Sequence, residues 1–276
     1  VELVGQKDLI NGISLNSTIY NLAKIAGPAL AGLLMAHFSI AFCFFVNTLS
    51  YLAVLLGLFL IHQVNVVATP SKKHLLSDIK VGLAYIWHQP NIRLSAALML
   101  IICTLNYNNN VIIPIFAKTV LHAGAQTYAN LLSATGAGSL VAAFLMSYLA
   151  QLGLHRRFYL IVGVGTAVLQ AALIVVHTFG LAMVVMVAIG FCNMIFLNQS
   201  NAAFQFDIPA ELRGRIMSVY VLLTQGTTPI GSLYAGGVMD LASGLWGFPA
   251  CGFVALLFVI PLLIHNRQLV HQWWQN

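Results

Sequence analysis

The groups in this chain able to do chemistry are few, and most are amides. Asn106, Asn108, Asn109 and Asn110 put four carboxamides into five residues, and Asn193, Asn198, Gln199, Ser200 and Asn201 form a second cluster. Asn21 and Lys24 lie near one end; Thr224, Gln225, Thr227 and Thr228 lie towards the other. Amides and hydroxyls donate and accept hydrogen bonds without titrating near neutrality. They suit holding and orienting a solute better than proton abstraction or nucleophilic attack. A catalytic constellation would need paired acids, His ligands or a nucleophile beside a base, and no such grouping stands out. The nine His lie in loops or at the ends of apolar runs, with no pair at i, i+4. Cys43, Cys103, Cys192 and Cys251 lie inside apolar runs without a C-x-x-C, as buried thiols do. No phosphate-cradling ATPase loop is present. We therefore expect no enzyme, no metal and no cofactor.

The residues that must position these amides are overwhelmingly apolar. Of 276 residues 60% are hydrophobic and only 7% charged, against about 25% charged in soluble domains. The mean hydropathy is +0.90. Those values exclude a soluble enzyme, a disordered chain and a disulfide scaffold. Eight runs reach the roughly 20 residues needed to cross a bilayer as helix: 13–36, 40–61, 94–116, 128–152, 158–176, 181–204, 216–239 and 245–264. None alternates polar and apolar as barrel strands would, so the expected fold is an all-α, polytopic membrane helical bundle.

The net charge of +6 is a topology signal. Lys7, Lys72, Lys73, Lys80, Arg93, Arg156, Arg157, Arg213, Arg215 and Arg267 all fall on one side of an eight-span chain, with Lys118 alone opposite. By the positive-inside rule that side, and the C-terminus with it, is cytoplasmic. No nucleic-acid partner is expected. Trp87, Trp246, Trp273 and Trp274 sit where interfacial anchors would. The loop 62–93 carries Leu75, Leu76, Ile79, Leu83, Ile86 and Trp87 at helical spacing, between a start at Pro70-Ser71 and a stop at Pro90. It reads as an amphipathic helix on the cytoplasmic face, or as a plain linker. The organisation expected is 1–64 as two spans of a first bundle, 65–92 as the cytoplasmic linker, and 93–276 as a six-helix bundle. Because the chain starts at Val1, we expect the native protein to begin upstream.

Polar side chains inside a membrane face other helices or water. They concentrate on the first, third, sixth and seventh spans, whereas the eighth is bare and the fifth holds little beyond Gln170. The first four named are expected to line a cavity; the fifth and eighth, and the second with its few polar groups, are expected to face lipid. The substrate-pathway candidates are Lys24, Asn21, Asn106, Asn109, Asn110, Asn193, Asn198, Asn201 and Gln225. Lys24 lies about 15 Å into its helix, too deep to snorkel easily; it either lines a path or pairs with helix carbonyls or an acid. The Asn run either meets a ligand at a helix end loosened by Pro114 or bonds between helices. Asp207 reads as a partner of Arg213 or Arg215, the cytoplasmic loop candidates. Gly27, Pro28, Gly32, Pro229 and Gly231 punctuate two spans whose lead-ins rhyme, as duplicated halves would.

At these residues a resemblance appears. Gly27-Pro28-x-x-Ala31-Gly32 resembles the antiporter motif G-P-x-x-G-G on the fifth helix of major facilitator superfamily exporters, with Ala31 in place of a Gly. Asn21-Leu22-Ala23-Lys24 and Glu211 through Ser218 resemble the branch holding enterobactin exporters and macrolide efflux pumps, where an Arg is more usual than Lys24. The resemblance implies a major facilitator fold lacking its first four helices, with these eight transmembrane helices as five to twelve. It implies secondary, proton-driven export of a small amphipathic, drug-like or siderophore-like solute by alternating access. The protein would be monomeric when full length and sit in a bacterial cytoplasmic membrane. A non-transporting fragment and an uptake carrier are the alternatives.

Overall fold

The computed structural model describes residues 34, 38, 40–60, 75–149, 156–206, 208 and 212–275. Two compact units divide the chain, Val1–Lys72 and Lys73–Asn276. In the first, α1 (Ile40–Phe59) is a single apolar helix. Thr48 donates back to the Phe44 carbonyl at 2.9 Å, so its hydroxyl needs no outside partner. The first expected span, 13–36, lies outside the described residues apart from Leu34.

The second unit runs α2 (Leu75–His88), α3 (Pro90–Asn106), α4 (Asn109–Thr119), α5 (Ala125–Leu149), α6 (Arg156–Ala172), α7 (Phe179–Phe206), α8 (Arg213–Val221), α9 (Thr228–Leu241), α10 (Gly247–His265) and α11 (Arg267–Gln275). Among the described residues, six stretches are long and apolar enough to cross a membrane: Phe42–Phe59, Pro90–Thr119, Ala125–Met146, Arg156–Val175, Phe179–Phe204 and Gly244–His265. The expected span 216–239 is instead two helices, α8 and α9, joined by one wider π-type turn at Leu222–Gly226. Such turns insert a residue into the helical ladder and are common at functional sites.

Pro90 is a start as well as a stop. Gln89 before it is extended (φ −109°, ψ 102°), as a residue preceding proline must be. Pro90 then opens α3 at a position where its missing N–H costs nothing. That moves the crossing four residues upstream of the expected 94. The helix before it, α2, docks on α8: a Cβ on Gly82 would lie 3.0 Å from the Arg215 carbonyl.

The bundle is built around α3 and α4, whose Met99, Ile102, Ile112, Ile113 and Phe116 are fully buried. Lipid gives helices no hydrophobic reason to associate, so close packing must do it. Gly138 of α5 and Gly190 of α7 show how: a Cβ on either would strike a carbonyl of the other helix, Val187 or Thr135. Ser139 adds a hydrogen bond to the Gly190 carbonyl at 3.0 Å. On α6, Tyr159 stacks on Phe196 of α7 at 4.6 Å and donates to the Ser95 carbonyl at 2.9 Å.

One of the four Trp departs from its expected role. Trp87 is 69% exposed and Trp274 53%, but Trp273 is only 2% exposed. Its indole N–H donates to Asn91 Oδ1 at 2.8 Å, and the Arg156 guanidinium lies 5.5 Å over its ring. On α11 the two neighbouring Trp lie about 100° apart around the helix, so Trp274 is left exposed while Trp273 fastens α11 to α3 and α6.

Candidate functional site

The amide run sits at a break in a membrane crossing. α3 ends at Asn106, Tyr107 and Asn108 leave helical geometry, and α4 begins at Asn109. In an unbroken helix the carbonyls of Thr104, Leu105 and Asn106 would meet the N–H groups of residues 108 to 110. Here side chains meet them. Asn108 Nδ2 donates to the Thr104 carbonyl at 2.8 Å and the Leu105 carbonyl at 3.0 Å. Gln170 Nε2, reaching from α6, donates to the Asn106 carbonyl at 2.9 Å. The Asn108 carbonyl then accepts from the N–H groups of Val111 and Ile112, both at 3.0 Å, and starts α4. Backbone groups in the hydrocarbon must be satisfied within the protein, and these bonds allow a broken helix there.

Two more bonds tie the break to its neighbours. The Tyr107 hydroxyl donates to the Asn193 carbonyl of α7 at 2.7 Å. The Ser232 hydroxyl of α9 donates to Asn108 Oδ1 at 3.1 Å. Beside it, Gly231 leaves no room for a Cβ, which would strike the Thr104 carbonyl and Asn108 Nδ2. The two interrupted crossings, α3–α4 and α8–α9, therefore touch next to their interruptions. The expected cause, Pro114, lies inside α4. Its ring crowds the carbonyl of residue 110, but the chain opens one turn earlier, where the amides are.

Several polar atoms around the break are buried and unpaired: both side-chain atoms of Asn106, Oε1 of Gln170, Oδ1 of Asn193, Oδ1 of Asn109 and Oγ1 of Thr104. An unmet buried polar group costs about 1–3 kcal/mol. Six such atoms near one junction leave unused hydrogen-bonding capacity there.

The other candidates fall as follows. Asn106 is wholly buried against α6, and Asn193 is buried on α7. Asn109 is half-buried and Asn110 exposed at the start of α4. Asn198 and Asn201 are half-buried on α7, about 7 and 12 Å further along it than Asn193. Gln225 is exposed within the π-type turn, and Pro229 is exposed just after it. Arg213 begins α8, with Arg215 exposed beside it. The structure thus joins Asn106, Asn193 and Gly231 to one junction; no described hydrogen bond joins Asn198 or Gln225 to it. Lys24, Asn21, Gly27, Pro28, Gly32 and Asp207 lie outside the described residues. Sequence reasoning passed over Gln170, Tyr107 and Ser232 as site residues, and counted Asn108 only as part of the run. A lone Gln in an apolar span was the available signal, since a buried amide in lipid needs a partner.

Residues 1–273 match a family of the major facilitator superfamily described as transmembrane secretion effector. The chain belongs to this family. It is a multi-pass membrane protein of the major facilitator type. It is also similar to the staphyloferrin A transporter of Staphylococcus aureus, at 22% identity over 261 residues, which cover 93% of this chain and 64% of that relative. The chain therefore spans less than two thirds of the relative's length. No solved structure matches it.

Proposed function

We propose that this chain belongs to a secondary active transporter that exports a small amphipathic solute, drug-like or siderophore-like, across the bacterial cytoplasmic membrane. Transport runs by alternating access. Protons drive it, the C-terminus is cytoplasmic, and the full-length protein works as a monomer. Residues 1–64 complete a first bundle, 65–92 link the bundles, and 93–276 form the second.

The observation that carries this reading is the side-chain-capped break between α3 and α4. Discontinuous helices with exposed polar ends mark binding sites in transporter folds. Asn109, Asn110, Asn198, Asn201 and Gln225 meet the solute, Asn106 and Asn193 stand behind them at the junction, and Lys24 and Asn21 belong to the same substrate pathway. Gly231 and Pro229 form one part of the gating and helix-packing motif, and Gly27, Pro28 and Gly32 form the other. The Gly27–Gly32 motif argues for export. The staphyloferrin A transporter makes a siderophore the first solute to try.

The test is efflux from a strain lacking its own pumps, over a panel of siderophores, macrolides and dyes, with full-length protein. Lys24→Ala is expected to impair efflux without blocking membrane insertion. Replacing Asn106 and Asn110 by Leu is expected to change the solute range more than comparable changes in α10. Net accumulation in place of efflux would make the protein an uptake carrier. No movement of any panel member would overturn the proposed solute class.

A further inference from the structure

At the end of the second unit where α10 meets α11, a polar cavity adjoins an apolar track. Phe253, Leu257, Ile260 and Ile264 of α10 are all exposed. Their spacing of four, three and four puts them on one face of the helix. That face is lipid-covered in a bilayer and runs directly to His265, where the helix ends. There a cavity of about 420 Å³ opens, lined by Pro90, His265, Asn266, Arg267, Gln268 and Gln272 among others. Its size lies within the roughly 300–1,000 Å³ of pockets that hold small ligands.

The chemistry of the lining is one-sided. Arg267 brings a permanent cation with a fork of donors suited to phosphate oxygens. His265 adds an imidazole, and Gln268 and Gln272 add amide donors and acceptors. All four are exposed. Among residues whose side chains are described, Asp240 is the sole acid; it stands at the opposite end of the α9–α10 hairpin. No described carboxylate competes for Arg267. The walls are also fixed. Trp273 fastens α11 to Asn91 at the start of α3, so the α11 wall and the Pro90 wall are held together. Trp274, next to it on α11, is exposed, as an interfacial Trp is.

We infer that this cavity and the α10 track together bind one anionic phospholipid. The phosphate sits on Arg267 and His265, the uncharged headgroup hydroxyls on Gln268 and Gln272, and an acyl chain along Ile264, Ile260 and Leu257. A choline headgroup would bring a second cation to a site already cationic, and free phosphate would forgo the track. The inference rests on the chain's place in the membrane and on no particular direction or solute of transport.

Native mass spectrometry of the full-length protein in detergent, offered phosphatidylglycerol or phosphatidylcholine, reads retention directly. Phosphatidylglycerol is expected to be retained in preference. Arg267→Ala should lower that retention about fivefold, the value of one basic residue at an anionic membrane surface, and Arg267→Lys should restore part of it. Ile260→Gln should weaken retention without altering the thermal midpoint much, since its side chain is already exposed. Equal retention of phosphatidylcholine would overturn the inference, as would an Arg267→Ala protein that keeps phosphatidylglycerol like the wild type. Displacement of the lipid by millimolar inorganic phosphate would also overturn it, by showing a soluble-anion site. The readout needs no transport, so an inactive pump that retains the lipid would still support it.

Discussion

Two crossings of the second unit carry an internal proline and respond differently. Pro261 lies inside α10, which continues unbroken from Gly247 to His265. Pro114 lies inside α4, and the crossing is cut at Tyr107–Asn108, one turn before the carbonyl that its ring crowds. Each proline removes one N–H from the ladder. What differs is the supply of donors nearby. Beside Pro261 the side chains of residues 256–263 are Leu, Phe, Val and Ile, which can satisfy no carbonyl set free by a break. Around α3 and α4, Asn108 and Gln170 supply three donations to carbonyls at the cut. In a bilayer, a helix opens where side chains can replace its backbone bonds, and a proline alone does not decide the place.

The sharpest way to break that comparison is to remove the donors. Asn108→Leu strips two carbonyls of their partner, each worth about 1–3 kcal/mol when left unmet. It is expected to give the largest fall in thermal stability in detergent. Gly231→Ala comes next: the added methyl meets a backbone carbonyl that cannot swing aside, and overpacking of this kind costs about 1–3 kcal/mol. Gly236→Ala and Gly237→Ala on the same helix meet open space and serve as controls. Gln170→Leu leaves one carbonyl unmet. It should raise amide hydrogen exchange at residues 108–112 and lower stability less than Asn108→Leu. Pro114→Ala sharpens the point from the other side. The break should persist, with exchange at 108–112 unchanged; protection there would mean that the proline made the cut. Ser232→Ala should have the smallest effect, about 0.6 kcal/mol, the average for a hydrogen bond between membrane helices.

Much of the fold was legible because bilayer thickness and helical rise together fix the length of a crossing. The runs 128–152 and 181–204 correspond to α5 and α7 within a few residues. The interruption within 216–239 was not legible. Thr224, Gln225, Thr227 and Thr228 announced a polar stretch, but hydropathy does not distinguish a polar turn from a polar helix face. The Asn run marked the neighbourhood of the α3–α4 break but not its position. That position depends on Gln170, which is 64 residues from Asn106 in sequence and one hydrogen bond from it in space. Trp273 was misread for the same reason: its partner Asn91 is 182 residues away, and no local pattern tells an inward Trp from an outward one.

Under the proposed function the interrupted, amide-bearing crossings of the second unit meet water and solute, and the outer face of the continuous α10 meets lipid. Single cysteines at Asn110 and Gln225 on one side, and at Leu257 and Ile260 on the other, test it in membranes with a water-soluble thiol reagent. The prediction is that the first pair reacts above the wild-type background and is slowed by a transported solute, while the second pair stays unreactive. Rapid labelling at Leu257 and Ile260, with none at Asn110 and Gln225, would contradict it.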